Sequence, residues 1–517
     1  MNRRDILKAS SAGAVVSLRP GSIFGEIGRG RVSAPHEVHQ YDIFELVFEG
    51  PSAGNPYLDF RVEGTFSQGA RSIAVDGFYA GSSTYKLRFM PDVPGEWRFE
   101  TSGGFPGASQ HGSFQCLPPR PDVHGPVRVA HGHHFAYADG IPYFPFGTTC
   151  YAWIHQGDAL ELETLASLKA SPFNKIRMCL FPKSYEYNRN EPVFYPFERP
   201  AGTALTSAGD LTRFDPAYWA HLEQRLMQLR ELNIEADLIL FHPYDRWGFA
   251  SMPAETDERY VRYLVARLGA FSNVWWSLAN EFDLMKSKST QDFTRLLHLV
   301  QQVDPFQHLR SIHYSRVMYD YASPAVTHAS LQTSAFEKAA EWLKIWRKPI
   351  VFDEVMYEGN LDRRWGNLSG EEMTRRFWLG VIAGSYVTHG ETYFVKAGST
   401  PKDVIWWAKG GKLQGSSPDR IGFLRRVLES LTQSGLESIE NAYYLSASSK
   451  DVILYYFDYH RPAEYEVALG DGDYTADVID PWAMTVTPLT GTFTGKALIS
   501  LIGKPFCALI LRRKPTS

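Results

Sequence analysis

Two carboxylates stand where apolar runs end. Glu281 closes NVWWSLANE, directly after Asn280, and Glu354 lies near the end of the run in KPIVFDEVMYEG. Each terminates a stretch that reads as a buried strand. Two carboxyl groups facing each other across a small cleft are what glycoside hydrolysis requires. One, kept protonated, gives a proton to the leaving oxygen, and the other attacks the anomeric carbon or activates water. A gap of about 5–5.5 Å between them serves retention through a covalent intermediate, whereas about 6.5–9.5 Å leaves room for water and gives inversion. Each residue also has a purely structural use. Asn280 could cap a helix with Glu281 favoured by the helix dipole, and Glu354 could end a strand in solvent.

The chemistry needs a scaffold that brings distant strand ends together. Between residues 121 and 435, eight apolar runs read as strands: PYFPFGTTCY, FNKIRMCLF, IEADLILFHPY, NVWWSLANE, LRSIHYS, AVTHASLQ, KPIVFDEVMYEG and SYVTHGETYF. Helical stretches alternate with them; AYWAHLEQRLMQLRELN puts Leu222, Leu226 and Leu229 on one face. This repeat and size predict a (β/α)8 TIM barrel, whose reactive groups project from the C-terminal ends of the strands. An open doubly wound sheet would call for a Gly-rich phosphate loop after an early strand, and the sequence has none. In a barrel, Glu281 ends the fourth strand and Glu354 the seventh, so the two face each other. The other polar strand ends are Thr148-Thr149, Arg177, His242, His313, His328 and Glu391. Trp153, Tyr244, Trp247, Tyr314, Tyr357 and Trp365 follow strand ends, placed either to stack on sugars or to pack under loops.

The flanks have a different texture. Residues 35–120 hold short alternating runs broken by Gly, Pro and Ser, which predict an immunoglobulin-like β-sandwich. A Pro-rich linker, PPRPDVHGP, follows it, and residues 436–517 return to short strands that predict a second sandwich. The expected architecture is therefore multidomain: a central TIM barrel between N-terminal and C-terminal β-sandwiches. A length of 517 residues fits about three domains.

Composition narrows the partners. Hydrophobic residues make up 44% and charged residues 21%, and the net charge of −4 comes from interspersed signs. That argues against nucleic acid or an anionic membrane as partner, and no run of 18 apolar residues predicts a membrane span. Aromatics reach 14%, which suits large cores and also the flat faces that bind carbohydrate. Cys116, Cys150, Cys179 and Cys507 lie far apart, without the spacing of a zinc site or a disulfide framework. His131, His133 and His134 in HGHHF read as surface histidines, because no carboxylate or cysteine accompanies them at ligand spacing. No metal or cofactor is expected. Residues 1–34 carry Arg3-Arg4 ahead of a weakly apolar Ala/Ser/Val stretch, similar to a twin-arginine export signal, so export is expected.

The Asn-Glu closing the fourth strand and the Glu closing the seventh resemble the clan A retaining glycoside hydrolases. ADGIPYFPFGTTCYAW, FNKIRMCLFP, FHPYDRWGF, WWSLANE, VFDEVMYEGN and RRFWLGVIAGSYVTHGETY resemble the apiosidase-like branch, bacterial proteins flanked by two β-sandwich domains. The resemblance implies Glu281 as acid/base, Asn280 as partner of the sugar 2-hydroxyl and Glu354 as nucleophile. It further implies that Arg177 keeps Glu354 ionised and that His242 shapes the sugar subsite. His313, Tyr314, His328, Glu391, Trp406 and Trp407 complete the expected substrate-binding set. The sequence departs from the clan at the end of the eighth strand, where Glu391 stands in place of the usual Trp and Trp406-Trp407 follow as substitutes. Glu358 is a rival nucleophile in a turn past the strand, and Asp353 should point to the opposite strand face from Glu354. Two other classes stay open: a non-catalytic carbohydrate-binding protein, and a metal-dependent hydrolase built on His242, His313 and His328.

Overall fold

The structure, a computed structural model, describes residues 32–394, 405–440 and 442–515. The twin-arginine stretch expected at the N-terminus lies outside the described residues.

The centre of the chain is a (β/α)8 barrel. Its strands are β1 (Phe146–Thr149), β2 (Lys175–Cys179), β3 (Glu235–Phe241), β4 (Val274–Ala279), β5 (Arg310–Ser311), β6 (Ala329–Gln332), β7 (Ile350–Glu354) and β8 (Tyr386–His389). They form one all-parallel sheet in the order β5-β4-β3-β2-β1-β8-β7-β6. A bridge from His313 to Ser330, just past β5 and inside β6, brings the two edges together. β2, β3 and β4 are buried at every residue, as strands covered on both faces must be.

Local signals explain the helices. Asp215 caps the helix Pro216–Glu231, its side chain accepting from the Ala217 amide, with Pro216 at the first helical position. Leu222, Leu226 and Leu229 of that helix are fully buried against the barrel. Ser289 and Asp292 form a capping box at the start of Thr290–Val303. The β5–β6 connection, residues 312–328, contains no helix, so that barrel unit is a loop alone.

A short hairpin, Val127–Ala130 with His134–Tyr137, closes the foot of the barrel. Its Phe135 ring packs on Trp275 of β4 and Tyr386 of β8.

N-terminal to the barrel, a four-stranded and a five-stranded sheet enclose Phe44, Phe66, Phe89, Trp97, Phe99 and Phe114. The strand Val62–Gln68 alternates buried and exposed residues, as a sandwich strand should. Arg88 leaves this domain to pair with Glu223 of a barrel helix at 2.7 Å. At the other end, a six-stranded sheet faces a two-stranded one across Tyr455, Val467, Ile499 and Leu509. The helix Gly370–Ile382 docks this domain through Trp378 stacked on Tyr456 and Arg375 paired with Asp458 at 2.6 Å.

Candidate active site at the barrel mouth

Glu281 follows β4 in a left-handed backbone conformation, φ 49° and ψ 51°, which few non-glycine residues adopt. The turn makes no side-chain cap, and the Asn280 amide is engaged by Arg177 and Glu281 instead of capping a helix. Glu354 reaches the mouth by a different device. In the β6–β7 register Leu331 pairs with Phe352, and Gln332 pairs with Glu354, leaving Asp353 as an extra residue. Such a bulge bends the strand and re-aims the side chains beyond it. Phe352 packs outward on Phe336 and Trp342, so alternation places Asp353 inside the barrel, and the bulge turns Glu354 to the interior as well rather than to the opposite face. Asp353 accepts from Lys175 at 2.9 Å, Ser330 at 2.5 Å and Thr388 at 2.7 Å.

The two glutamates are joined by one network. The buried Arg177 donates through Nη1 to Asn280 Oδ1 at 2.8 Å and lies 3.5 Å from Glu354 Oε1. Asn280 Nδ2 in turn donates to Glu281 Oε2 at 3.2 Å. The Tyr151 hydroxyl donates to Glu354 and the Tyr244 hydroxyl to Glu281. Gln332, the last residue of β6, reaches Glu281 Oε1 at 3.5 Å.

Burial pushes the Glu354 carboxyl up to about 7, and the nearby Glu281 charge adds to this, while Arg177 pulls it down. A further cation sits beside the pair. Lys183 is buried with its ammonium 3.5 Å from the Tyr151 ring centre, 4.3 Å from that of Tyr244 and 4.6 Å from that of Tyr185. This aromatic cage compensates part of the lost hydration. Burial still lowers the Lys183 pKa, against the pull of the two glutamates.

These groups open onto a cavity of about 630 Å³ lined by Tyr151, Lys183, Tyr185, Tyr244, Glu281, Gln332, Glu354, Tyr357, Trp365 and Trp407. Its size and its aromatic walls with a few convergent polar groups fit a small polar organic ligand with flat apolar faces. Of the aromatics that follow strand ends, Tyr244, Tyr357 and Trp365 line it, whereas Trp153, Trp247 and Tyr314 are buried elsewhere.

Several expected site residues lie away from the cavity. His328 precedes β6 rather than ending it. Its ring packs on Phe135 and Trp275 at the barrel foot, and burial lowers its pKa to about 3. His242 is buried with Nε2 against the Phe181 carbonyl at 3.0 Å. His313 lies near Glu354, its Nε2 4.0 Å from Oε1, but outside the cavity lining. These three histidines do not converge, so the metal-hydrolase alternative loses its ligand set. Glu391 accepts from the Gln414 and Gly415 amides at 2.5 and 2.8 Å, tying down that loop instead of facing a ligand. Glu358, the rival nucleophile, sits in a short buried strand and accepts from Ser416, Ser417 and Tyr393. Trp406 is buried, donating to Thr148 Oγ1 at 2.8 Å, so of the two tryptophans only Trp407 reaches the cavity.

Tyr151, Lys183, Tyr185 and Gln332 join the site only through the fold. Lys183, Tyr185 and Tyr187 alternate just after the β2 run, a pattern that could have signalled a loop folding over the mouth.

Residues 130–433 match the family model described as "Apiosidase-like, catalytic domain". Residues 37–103 and 442–512 match two models for domains of unknown function, DUF5060 and DUF5605. A search of curated proteins finds no match. Among solved structures, a candidate glycoside hydrolase from Bacteroides vulgatus ATCC 8482 is 39% identical with a TM-score of 0.87, covering 93% of this chain and 100% of that one. An endo-β-1,4-mannanase from Thermotoga petrophila is 12% identical with a TM-score of 0.39, covering 69% of this chain and 91% of that one. With its catalytic model spanning more than half of the sequence, the chain belongs to the apiosidase-like family.

Proposed function

We propose that this protein is a glycoside hydrolase acting with retention of configuration on a poly- or oligosaccharide. The observation that carries the proposal is the pair itself: Glu281 and Glu354 open onto one cavity and are bridged through Asn280 and Arg177. Family membership and the B. vulgatus structure support carbohydrate hydrolysis.

In the first step a Glu354 oxygen attacks the anomeric carbon as the bond to the leaving oxygen breaks, and Glu281 gives that oxygen its proton. In the second, Glu281 takes a proton from water, whose oxygen displaces Glu354 from the anomeric carbon. The productive form holds one proton, on Glu281. With Glu281 neutral, the like-charge repulsion that helps to raise Glu354 disappears, and Arg177, Tyr151 and Lys183 then favour an ionised Glu354.

The last proton leaves such a pair as a unit. With the Glu354 carboxyl pushed up to about 7 by burial and by the nearby Glu281 charge, kcat/KM is expected to fall as pH rises through about 7, where the proton the site needs is lost. Glu281→Gln should erase this basic limb on aryl glycosides with good leaving groups, which do not need the acid. The primary test is a panel of plant and bacterial polysaccharides and aryl glycosides, run with wild type, Glu281→Gln and Glu354→Gln. Cleavage by wild type that vanishes in Glu354→Gln supports the proposal. Tight glycan binding without cleavage across the panel would sink it in favour of a binding protein.

The neighbouring tryptophans should separate binding from stability. Trp407 lines the cavity, so Trp407→Ala is expected to raise KM about tenfold through lost aromatic contact with the sugar. Trp406→Ala removes a buried ring and its bond to Thr148, costing about 3–5 kcal/mol of stability. Steady-state kinetics and urea titrations of the two variants check both.

A further inference from the structure

The histidines of HGHHF have no carboxylate near them in sequence, and the fold supplies one. His133 and His134 lie at the turn of the hairpin that closes the barrel foot, at the opposite end from Glu281 and Glu354. Glu437 comes to them from the first strand of the C-terminal domain, Glu437–Ser438. His133 Nε2 is 3.0 Å from Glu437 Oε2, and His134 Nε2 is 3.5 Å from Glu437 Oε1. Both nitrogens are buried, yet neither makes a hydrogen bond of acceptable geometry. The two imidazoles approach the carboxylate without aiming at it, a poor arrangement for a direct ion pair.

It is a good arrangement for shared ligation. Tetrahedral bonds of about 2.0–2.1 Å place donor atoms roughly 3.3 Å apart, close to the 3.0 and 3.5 Å between each imidazole nitrogen and a Glu437 oxygen, and one ligand atom from each of the three residues lies within 4.8 Å of the others. The cluster is also braced from behind. His134 Nδ1 lies 2.7 Å from the Tyr386 hydroxyl, which fixes the ring orientation as outer partners of metal-bound histidines do. The linker into the C-terminal domain runs directly over the same ring. Gly435 has φ +96°, and a Cβ there would come within 2.4 Å of His134. Burial and the adjacent His134 hold the His133 pKa below its usual value, favouring the neutral imidazole that metals bind.

We infer that His133, His134 and Glu437 together bind one divalent transition-metal ion of the zinc type, fastening the C-terminal domain to the foot of the barrel. Calcium or magnesium suits the cluster poorly, because two of its three donors are imidazole nitrogens. The Glu437 side chain is 59% exposed, so an ion can reach the cluster from solvent. The site lies outside the catalytic mouth and does not depend on the glycosidase proposal.

The test uses the full chain, stripped with EDTA and dialysed, then titrated with zinc sulfate by calorimetry and melted with and without the ion. One saturable site per chain is expected, with a rise of several degrees in melting temperature. Glu437→Gln and His133→Ala should each weaken binding at least tenfold and remove the thermal shift. His131→Ala, in the same turn but exposed, should leave both unchanged, and magnesium should produce no shift. Circular dichroism on every variant separates lost ligation from lost fold; the exposed Glu437 makes its glutamine variant the safer of the two. No saturable zinc binding by wild type, or equal affinity in wild type and Glu437→Gln, would overturn the inference and leave a histidine–carboxylate cluster without a metal.

Discussion

Glu354→Gln is expected to lower kcat on any accepted glycoside by about 10⁴-fold or more while leaving the protein at least as stable as wild type. The rate loss follows from removing the nucleophile, since an amide cannot form the glycosyl ester and the water reaction has no substitute for it. The stability expectation has a separate cause. Glu354 is a buried carboxylate raised to about 7 by burial and by Glu281, so near neutral pH it is an unfavourable charge to bury. A neutral amide of the same shape relieves both effects and can still accept from Tyr151. Catalytic groups commonly cost stability in this way. Kinetics and thermal melts of the variant should therefore move in opposite directions. Wild type should also release first the anomer present in the substrate, which NMR of the early product detects. Release of the opposite anomer would keep both carboxylates catalytic but make Glu354 a general base.

Much of this site is visible in the sequence because strand ends in a barrel are predictable places. β4 and β7 could be located from their apolar runs, and Asn280, Glu281 and Glu354 follow from the point at which those runs stop. Two of the places where sequence misleads share one cause: a shift in register that apolar pattern does not encode. AVTHASLQ reads as a strand throughout, but the strand begins at Ala329, so His328 enters at the foot and Gln332 reaches the mouth. The bulge at Asp353 is equally invisible, and only it explains how two adjacent carboxylates both serve the barrel interior at different depths. Glu391 and Trp406 follow β8 closely enough to suggest a sugar platform. Their partners, the Gln414 and Gly415 amides and Thr148, are set by how the 405–416 loop folds back across the barrel. Lys183 is not legible in the sequence because a lysine in a loop reads as solvated, and its aromatic cage exists only after Tyr151 and Tyr244 converge from other strands.

Below the glutamates, Lys175→Met is expected to damage the fold severely. Lys175 Nζ lies 2.8 Å from Asp237 Oδ2 and 2.9 Å from Asp353 Oδ1, and all three side chains are buried. Removing the cation leaves two carboxylates facing each other in the barrel interior, a loss of about 3–5 kcal/mol. Asp353 is the better served of the two: Lys175, Arg177 and its hydrogen bond from Ser330 hold its pKa well below the usual carboxylate range, while burial pushes Asp237 up. A depressed folded pKa stabilises the protein above the unfolded pKa, and that contribution is lost as pH falls through the folded value. In Lys175→Met the sign reverses, because uncompensated buried carboxylates gain stability on protonation. The gap between wild type and variant should therefore be widest near pH 7 and narrow toward pH 5, as read from urea midpoints at both pH values. Neutralising the carboxylates as well, in Lys175→Met/Asp237→Asn/Asp353→Asn, should recover part of the loss. A pH-independent loss under about 1 kcal/mol would mean that the triad does not hold its charges as described. The change should also reach the mouth: Arg177 Nε lies 3.9 Å from Asp237, and with Lys175 gone its charge is divided between that carboxylate and Glu354. Residual folded Lys175→Met should consequently lose activity in excess of its unfolded fraction, with its Glu354 ionisation displaced upward.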